Sequence, residues 1–88
     1  MSVLAFEIRS LLTGDYDRNM RVGDVVEFVD FCYRADPRKG LCCNRAVTSL
    51  VRDRSVEGWL SPDTLRPLSR DAGELLRLLR SLRSGNHP

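Results

Sequence analysis

The chain has 88 residues, enough for one domain near the lower size limit of a self-sufficient hydrophobic core. No run approaches the roughly 18 apolar residues that a membrane span needs, and the N-terminal segment lacks the basic and apolar blocks of a signal peptide. Three cysteines, two of them adjacent, are a poor disulfide framework. We therefore expect a cytoplasmic protein with reduced thiols, and its small size favours pairing with a second copy.

The net charge of +2 is unevenly distributed along the chain. Residues 1–36 carry four basic and seven acidic residues, whereas residues 37–88 carry ten basic and five acidic residues. This asymmetry favours a basic face for an acidic partner, of which nucleic acid is the commonest. Leucine, arginine and serine, the amino acids with the most codons, make up 34 of the 88 residues. Such a bias is typical of a gene that overlaps another reading frame, and it indicates a compact viral genome.

Two helices are predicted in the first half of the chain. In residues 3–12 the leucines and Ile8 recur at helical spacing, and a polar loop follows over residues 13–21. Asp24 and Glu27, three residues apart, have the form of a capping box that begins the second helix. The apolar residues after Asp24 recur at steps of three and four and do not alternate, which disfavours a strand.

Two more helices are predicted in the second half. Pro37 has the position of a first-turn proline in a third helix that runs to about Arg52. Pro62 repeats this signature in a short turn, and Ser69 caps a last helix over residues 70–83. Each of these segments begins with a residue type that favours a helix N-terminus.

The predicted fold class is therefore all-α, a small helical domain that forms an antiparallel homodimer and thereby a helical bundle. Residues 1–84 are expected to form a single domain for dimerisation and RNA binding. Residues 85–88 are expected to form a flexible tail.

Catalysis is not expected from this sequence. The only histidine, His87, lies in the predicted tail, where a precise catalytic geometry is hard to hold. The chain has no Gly-rich phosphate loop and no metal-ligand spacing. We therefore expect a protein that is not an enzyme and that needs no cofactor and no metal.

The third predicted helix carries the candidate binding residues. Arg38, Arg45, Ser49 and Arg52 recur at steps of seven, four and three, which places them on one helical face, and Lys39 flanks that face. Arginine binds phosphate oxygens through two parallel hydrogen bonds, and serine bonds phosphate or ribose groups. The pattern predicts that these five residues bind RNA, and the alternative is a helix face in contact with solvent only.

The segment from Arg45 to Val51, with Ser55-Val56 and Leu60 after it, resembles the small RNA-silencing suppressor of insect nodaviruses. The resemblance implies an all-helical homodimer that binds double-stranded RNA by its shape and backbone, whatever the base sequence. It also implies that Arg45 has the position of the arginine central to RNA contact. The implied function is suppression of host RNA silencing in the host cytoplasm, by denying the duplex to a dicing nuclease.

Three other functions stay open at this point. Residues 45–54 would form the recognition helix of a helix-turn-helix DNA-binding module. Residues 22–26, 58–60 and 65–68 would instead belong to a small barrel of the SH3 type that is used for protein contacts. The leucine-rich last helix would serve a protein–protein interaction without any nucleic acid.

Overall fold

The structure is a computed structural model, and it describes residues 4–13, 15–36 and 41–83. Five strands make up most of the ordered elements, so the all-α prediction is wrong, and so is the helical-bundle homodimer. In chain order the elements are β1 (Ala5–Ile8), β2 (Val25–Asp36), β3 (Leu41–Leu50), β4 (Glu57–Leu60), a 3-10 helix (Pro62–Thr64), β5 (Leu65–Pro67) and α1 (Arg70–Arg83).

The five strands form one antiparallel sheet in the order β4-β3-β2-β1-β5. Strands β2 and β3 form a long hairpin at the centre, β1 pairs with both β2 and β5, and β4 pairs with β3. This strand order, the long loop between β1 and β2, and the 3-10 helix between β4 and β5 are features of small SH3-type barrels. The strands between residues 22 and 68 therefore agree with the small-barrel alternative and not with the helices predicted there.

One hydrophobic core lies between the inner face of the sheet and helix α1. The fully buried apolar side chains of the strands are Phe6, Ile8, Val26, Ala46, Leu50, Leu60 and Leu65. Helix α1 contributes Ala72, Leu76 and Leu79 to the same cluster. Burial of each large side chain stabilises the fold by about 1.5–3 kcal/mol, so this cluster holds the helix against the sheet.

A β-bulge explains why β2 was mistaken for a helix. The pairing of β2 with β3 shifts between Phe28 and Asp30, so Val29 is an extra residue on the bulged strand. Val26 and Phe28 pack on the core before the bulge, and Phe31 packs on it after the bulge. The inward positions are therefore separated by two residues and then by three, which resembles the spacing on a helix.

Asp24 begins a strand and not a helix. Its Oδ2 accepts a hydrogen bond from Arg21 N at 2.9 Å, and its own N–H donates to Arg21 O at 3.0 Å. Gly23, with φ of 95°, completes this tight turn directly before β2. The first predicted helix is wrong as well, because the described part of residues 3–12 contains β1 with alternating burial.

Buried polar residues concealed the strand character of β3, where the third helix was predicted. Asn44 and Thr48 are buried on the inner face together with Ala46 and Leu50. Thr48 Oγ1 donates to Gly58 O at 3.1 Å, so its hydroxyl has a partner inside the core. Two polar residues among four inward positions remove the apolar alternation by which a strand is recognised.

The last helix is confirmed with its predicted bounds, Arg70–Arg83. Ser69 Oγ accepts a hydrogen bond from Ala72 N at 3.1 Å, as an N-cap side chain does. The 3-10 helix begins in the same way, because Ser61 Oγ accepts from Asp63 N at 3.4 Å. Within the described ranges, no helix combines the length and the apolar composition that crossing a membrane requires.

Replacing Ser69 with alanine removes the side-chain acceptor for the Ala72 N–H. We expect the free energy of unfolding to fall by about 1 kcal/mol, measured by urea unfolding followed by circular dichroism. Ser81→Ala is the matched control, because Ser81 is exposed within the same helix and alanine has the higher helix propensity. Equal destabilisation by both substitutions would mean that Ser69 does not cap the helix.

Candidate protein-interaction surface

The loop over residues 9–24 lies along the outer edge of β4. Tyr16 N donates to Trp59 O at 2.9 Å, and Trp59 N donates to Tyr16 O at 2.7 Å. This antiparallel bridge occupies the backbone of Trp59, which faces away from β3 at the edge of the sheet. A ligand at this position must therefore contact side chains, because the backbone groups already have partners.

Gly58 allows the loop to approach β4 this closely. A Cβ atom at Gly58 would overlap Met20 Sδ and would stand 2.8 Å from Tyr16 O. Met20 is only 5% exposed, so it belongs to the core and fixes the loop against the sheet. The residue at position 58 is therefore constrained to glycine by the close approach of another chain segment.

A buried carboxylate holds the same loop near its start. The Asp15 side chain is fully buried, and its Oδ1 lies 2.9 Å from Arg45 Nε and accepts a hydrogen bond from Ser61 N at 3.2 Å. The other oxygen, Oδ2, accepts from Leu12 N at 3.0 Å. These contacts connect the loop to β3 and to the segment after β4, so Asp15 and Arg45 have a structural role.

Two exposed aromatic side chains lie together on this support. Tyr16 is 53% exposed and Trp59 is 42% exposed, and the two line one small apolar depression. Val47 lies directly opposite Trp59 in the β3–β4 pair, so it shares the outer face of the sheet. We call Tyr16, Val47 and Trp59 the aromatic surface. Its composition is typical of the anchor residues of protein interfaces.

The charged residues around the aromatic surface are mainly acidic. Asp30 lies opposite Val47 in the β2–β3 pair, and Glu57 is exposed on the outer face of β4. Asp17 and Arg18 follow in the loop, immediately after its tyrosine. The surroundings of the aromatic surface therefore contain three carboxylates and one guanidinium group.

The predicted RNA-binding residues do not form one stripe, because the helix that would align them is absent from the described fold. Arg45 and Ser49 lie on β3, and Arg52 lies in the loop between β3 and β4. Arg38 and Lys39 lie outside the described residues. A helical period had been applied to a segment that is a strand followed by a loop.

The three described members of that set all have partners within the protein. Arg45 lies beside its buried carboxylate, and its side chain is 24% exposed. Ser49 is 7% exposed, and its Oγ donates to Arg54 O at 2.8 Å. Arg52 Nη2 lies 3.5 Å from Asp24 Oδ2, but the Arg52 side chain is 61% exposed. Among these three residues, Arg52 is therefore the one that a ligand can reach most easily.

The loop that carries Arg52 is shaped by Asp53. Its Oδ1 accepts hydrogen bonds from Ser55 Oγ at 2.6 Å and from Ser55 N at 3.1 Å. The hydrogen bond from the Ser55 side chain, then that from its backbone, lowers the pKa of Asp53. The carboxylate therefore stays ionised at neutral pH and keeps the turn after Arg52 closed.

Sequence reasoning missed Tyr16 and treated Trp59 as part of a core anchor. Leu60 is the core residue of that pair, whereas Trp59 faces outward by strand alternation. A large aromatic side chain within an otherwise polar loop was the available indication for Tyr16. Its contact with Trp59 joins distant parts of the chain and depends on the sheet.

Comparisons with known proteins leave the argument to the geometry. No protein-family model matches the chain, and neither the curated proteins nor the solved structures include a match. The resemblance to the nodavirus suppressor therefore stays a prediction. Within the described ranges, no three His, Cys, Asp or Glu residues are grouped as a metal site requires.

Proposed function

We propose that this domain is a protein-recognition module without catalytic activity, and that its aromatic surface binds an extended, positively charged segment of a partner protein. The observation that carries this proposal is the exposed pair of Tyr16 and Trp59, joined by two backbone hydrogen bonds. Tyrosine and tryptophan offer large contact areas and lose little side-chain entropy on binding, because each has two χ angles.

The rigidity of the support favours binding at the aromatic surface. The backbone bridge, the packing of Met20 against Gly58 and the contacts of Asp15 fix the loop at three points. Groups that are already ordered lose less conformational entropy when a ligand binds. A well-packed aromatic anchor commonly contributes about 2 kcal/mol or more to an interface, so this small surface is sufficient for specific recognition.

Charge and shape favour a basic, extended ligand. An arginine or lysine stacked on Trp59 would gain about 0.5–2 kcal/mol by the cation–π interaction. Its charge would also be attracted by Asp30 and Glu57, which flank the surface. The depression is small and open, which suits a narrow chain such as a polyproline II segment.

Double-stranded RNA binding is the second candidate function. Its support is the exposure of Arg18 and Arg21 in the loop over residues 9–24, and of Arg52 in the loop over residues 51–56. Such arginines bind phosphate oxygens, and the affinity for a duplex would fall with salt. Suppression of silencing in a host cytoplasm, self-association and competition with a dicing nuclease stay predictions that depend on this second candidate. The acidic surroundings of the aromatic surface favour the first candidate, because they repel phosphate.

Trp59→Ala should reduce the affinity for a basic peptide by about tenfold or more, because it removes the aromatic anchor and keeps the backbone bridge. The immobilised domain would first select peptides from a random display library. We expect the selected peptides to be rich in arginine or lysine and in proline. The affinity of the best peptide would then be measured for the wild type and the variant.

Two further variants make this test specific. Tyr16→Ala removes the second ring and should weaken the same peptide as well. Val51→Ala is the control, because Val51 is 43% exposed but lies in the loop after β3, and it should leave the affinity unchanged. Selection of acidic peptides, or equal binding by the wild type and Trp59→Ala, would contradict the proposal.

A further inference from the structure

A second depression lies where the turn before β2 meets the loop after β3. It is lined by Asn19, Arg21, Asp24 and Arg52. We infer that this depression binds a terminal phosphate group, either free phosphate or a phosphate monoester. The inference does not depend on the aromatic surface, because none of the four lining residues belongs to it.

Asp24 organises this depression. Its Oδ2 accepts a hydrogen bond from Arg21 N at 2.9 Å and lies 3.5 Å from Arg52 Nη2. One carboxylate oxygen therefore holds the turn and the Arg52 guanidinium group next to each other. The guanidinium group has five N–H donors, so most of them stay available for a ligand while Asp24 orients the side chain. An oriented arginine loses less entropy when it binds an anion.

Asn19 contributes a third donor group. Its φ of 63° lies in the left-handed region, which asparagine adopts more readily than most residues, and its side chain lines the depression with Arg21. Two guanidinium groups and one amide therefore face one carboxylate, which leaves a net positive lining. This combination attracts an anion and offers it several hydrogen-bond donors.

The donor set fits a terminal phosphate better than a nucleic-acid backbone. A terminal phosphate is close to dianionic at neutral pH and has three free oxygens, one for each of Asn19, Arg21 and Arg52. A phosphodiester has two free oxygens and a single negative charge, so it leaves one donor unused. The site is therefore expected to distinguish these two kinds of phosphate.

The test is a titration with inorganic phosphate, followed by nuclear magnetic resonance of the side-chain N–H groups, in mildly alkaline solution where phosphate is a dianion. We expect saturating shifts at Asn19, Arg21 and Arg52, with a dissociation constant on the order of 1 mM. Arg21→Gln and Arg52→Gln should each weaken binding about tenfold, because each removes a charge-assisted hydrogen bond. Arg77→Gln is the control, because Arg77 is exposed on α1 and far from the loops in sequence.

Dimethyl phosphate, a diester with two free oxygens, provides the second arm of the test. The inference predicts that it binds about tenfold more weakly than inorganic phosphate. If both probes bind equally and both lose affinity in Arg21→Gln, the site binds phosphodiesters and the inference is wrong. If phosphate binding is unchanged in both variants, or if Arg77→Gln reduces it equally, the depression is not a phosphate site.

Discussion

Gly58→Ala should lower the free energy of unfolding by about 2–3 kcal/mol. The added Cβ would overlap Met20 Sδ and stand 2.8 Å from Tyr16 O, so the loop must move away from β4. That movement would lengthen both hydrogen bonds between Tyr16 and Trp59 and would disturb the aromatic surface. Urea unfolding measures the loss of stability, and the peptide affinity should fall in the same variant.

Gly73→Ala is the matched control for this substitution. A Cβ atom at Gly73 would meet Pro67 Cγ at 3.8 Å, which is an ordinary van der Waals contact. Since Gly73 lies within α1, alanine should stabilise the domain by about 0.5–1 kcal/mol. If Gly58→Ala unfolds at the same urea concentration as the wild type, the loop does not pack on β4 as described.

Breaking the contact between Asp15 and Arg45 should have the largest effect on stability. We expect Asp15→Asn or Arg45→Gln to cost about 3–5 kcal/mol, because each leaves part of a buried charged network without its partner. Asp15→Asn also places an amide group opposite the N–H donors of Leu12 and Ser61. The double variant should be less destabilised than the sum of the two single variants.

Arg54 and Glu27 provide the control pair for this measurement. Their side chains meet at 2.8 Å, but Arg54 is 68% exposed, so Arg54→Gln should cost less than about 1 kcal/mol. The comparison also decides the role of Arg45. If Arg45→Gln is as stable as the wild type but no longer binds duplex RNA, Arg45 is a surface contact, as the nodavirus resemblance implies.

The helices that follow a serine cap were predictable because their determinants are local. Ser69 and the apolar spacing of α1 lie within one continuous segment, and the helix has the predicted bounds. The short turn at Pro62 was also predicted, and it is the 3-10 helix after Ser61. Such signals act over a few residues and need no distant partner.

The strands were mistaken for helices because two features interrupt their alternation. The bulge at Val29 changes the spacing of inward residues in β2, and Thr48 places a hydroxyl in the core beside β4. The satisfied hydroxyl of Thr48 depends on Gly58 O, which belongs to another strand. The alternation becomes visible only after the pairing of the strands is known.

The candidate surface depends even more on distant contacts. Tyr16 and Trp59 are separated by two strands of the sequence and meet only because the first loop closes the edge of β4. Arg45 was correctly noticed as an unusual residue, but its buried partner Asp15 lies in that same distant loop. The predicted arginine stripe required a continuous helix, so it could not survive the change of fold class.

The fluorescence of Trp59 gives the most direct test of the proposed recognition surface, because it is the only tryptophan of the chain. The domain would be titrated with a selected basic peptide and, separately, with an RNA duplex of about 20 base pairs, which exceeds the length that a typical duplex-binding domain spans. We predict that the peptide changes the tryptophan emission to saturation and that the duplex does not. Saturation by the duplex together with no response to the peptide would contradict the proposal and favour the RNA-binding function.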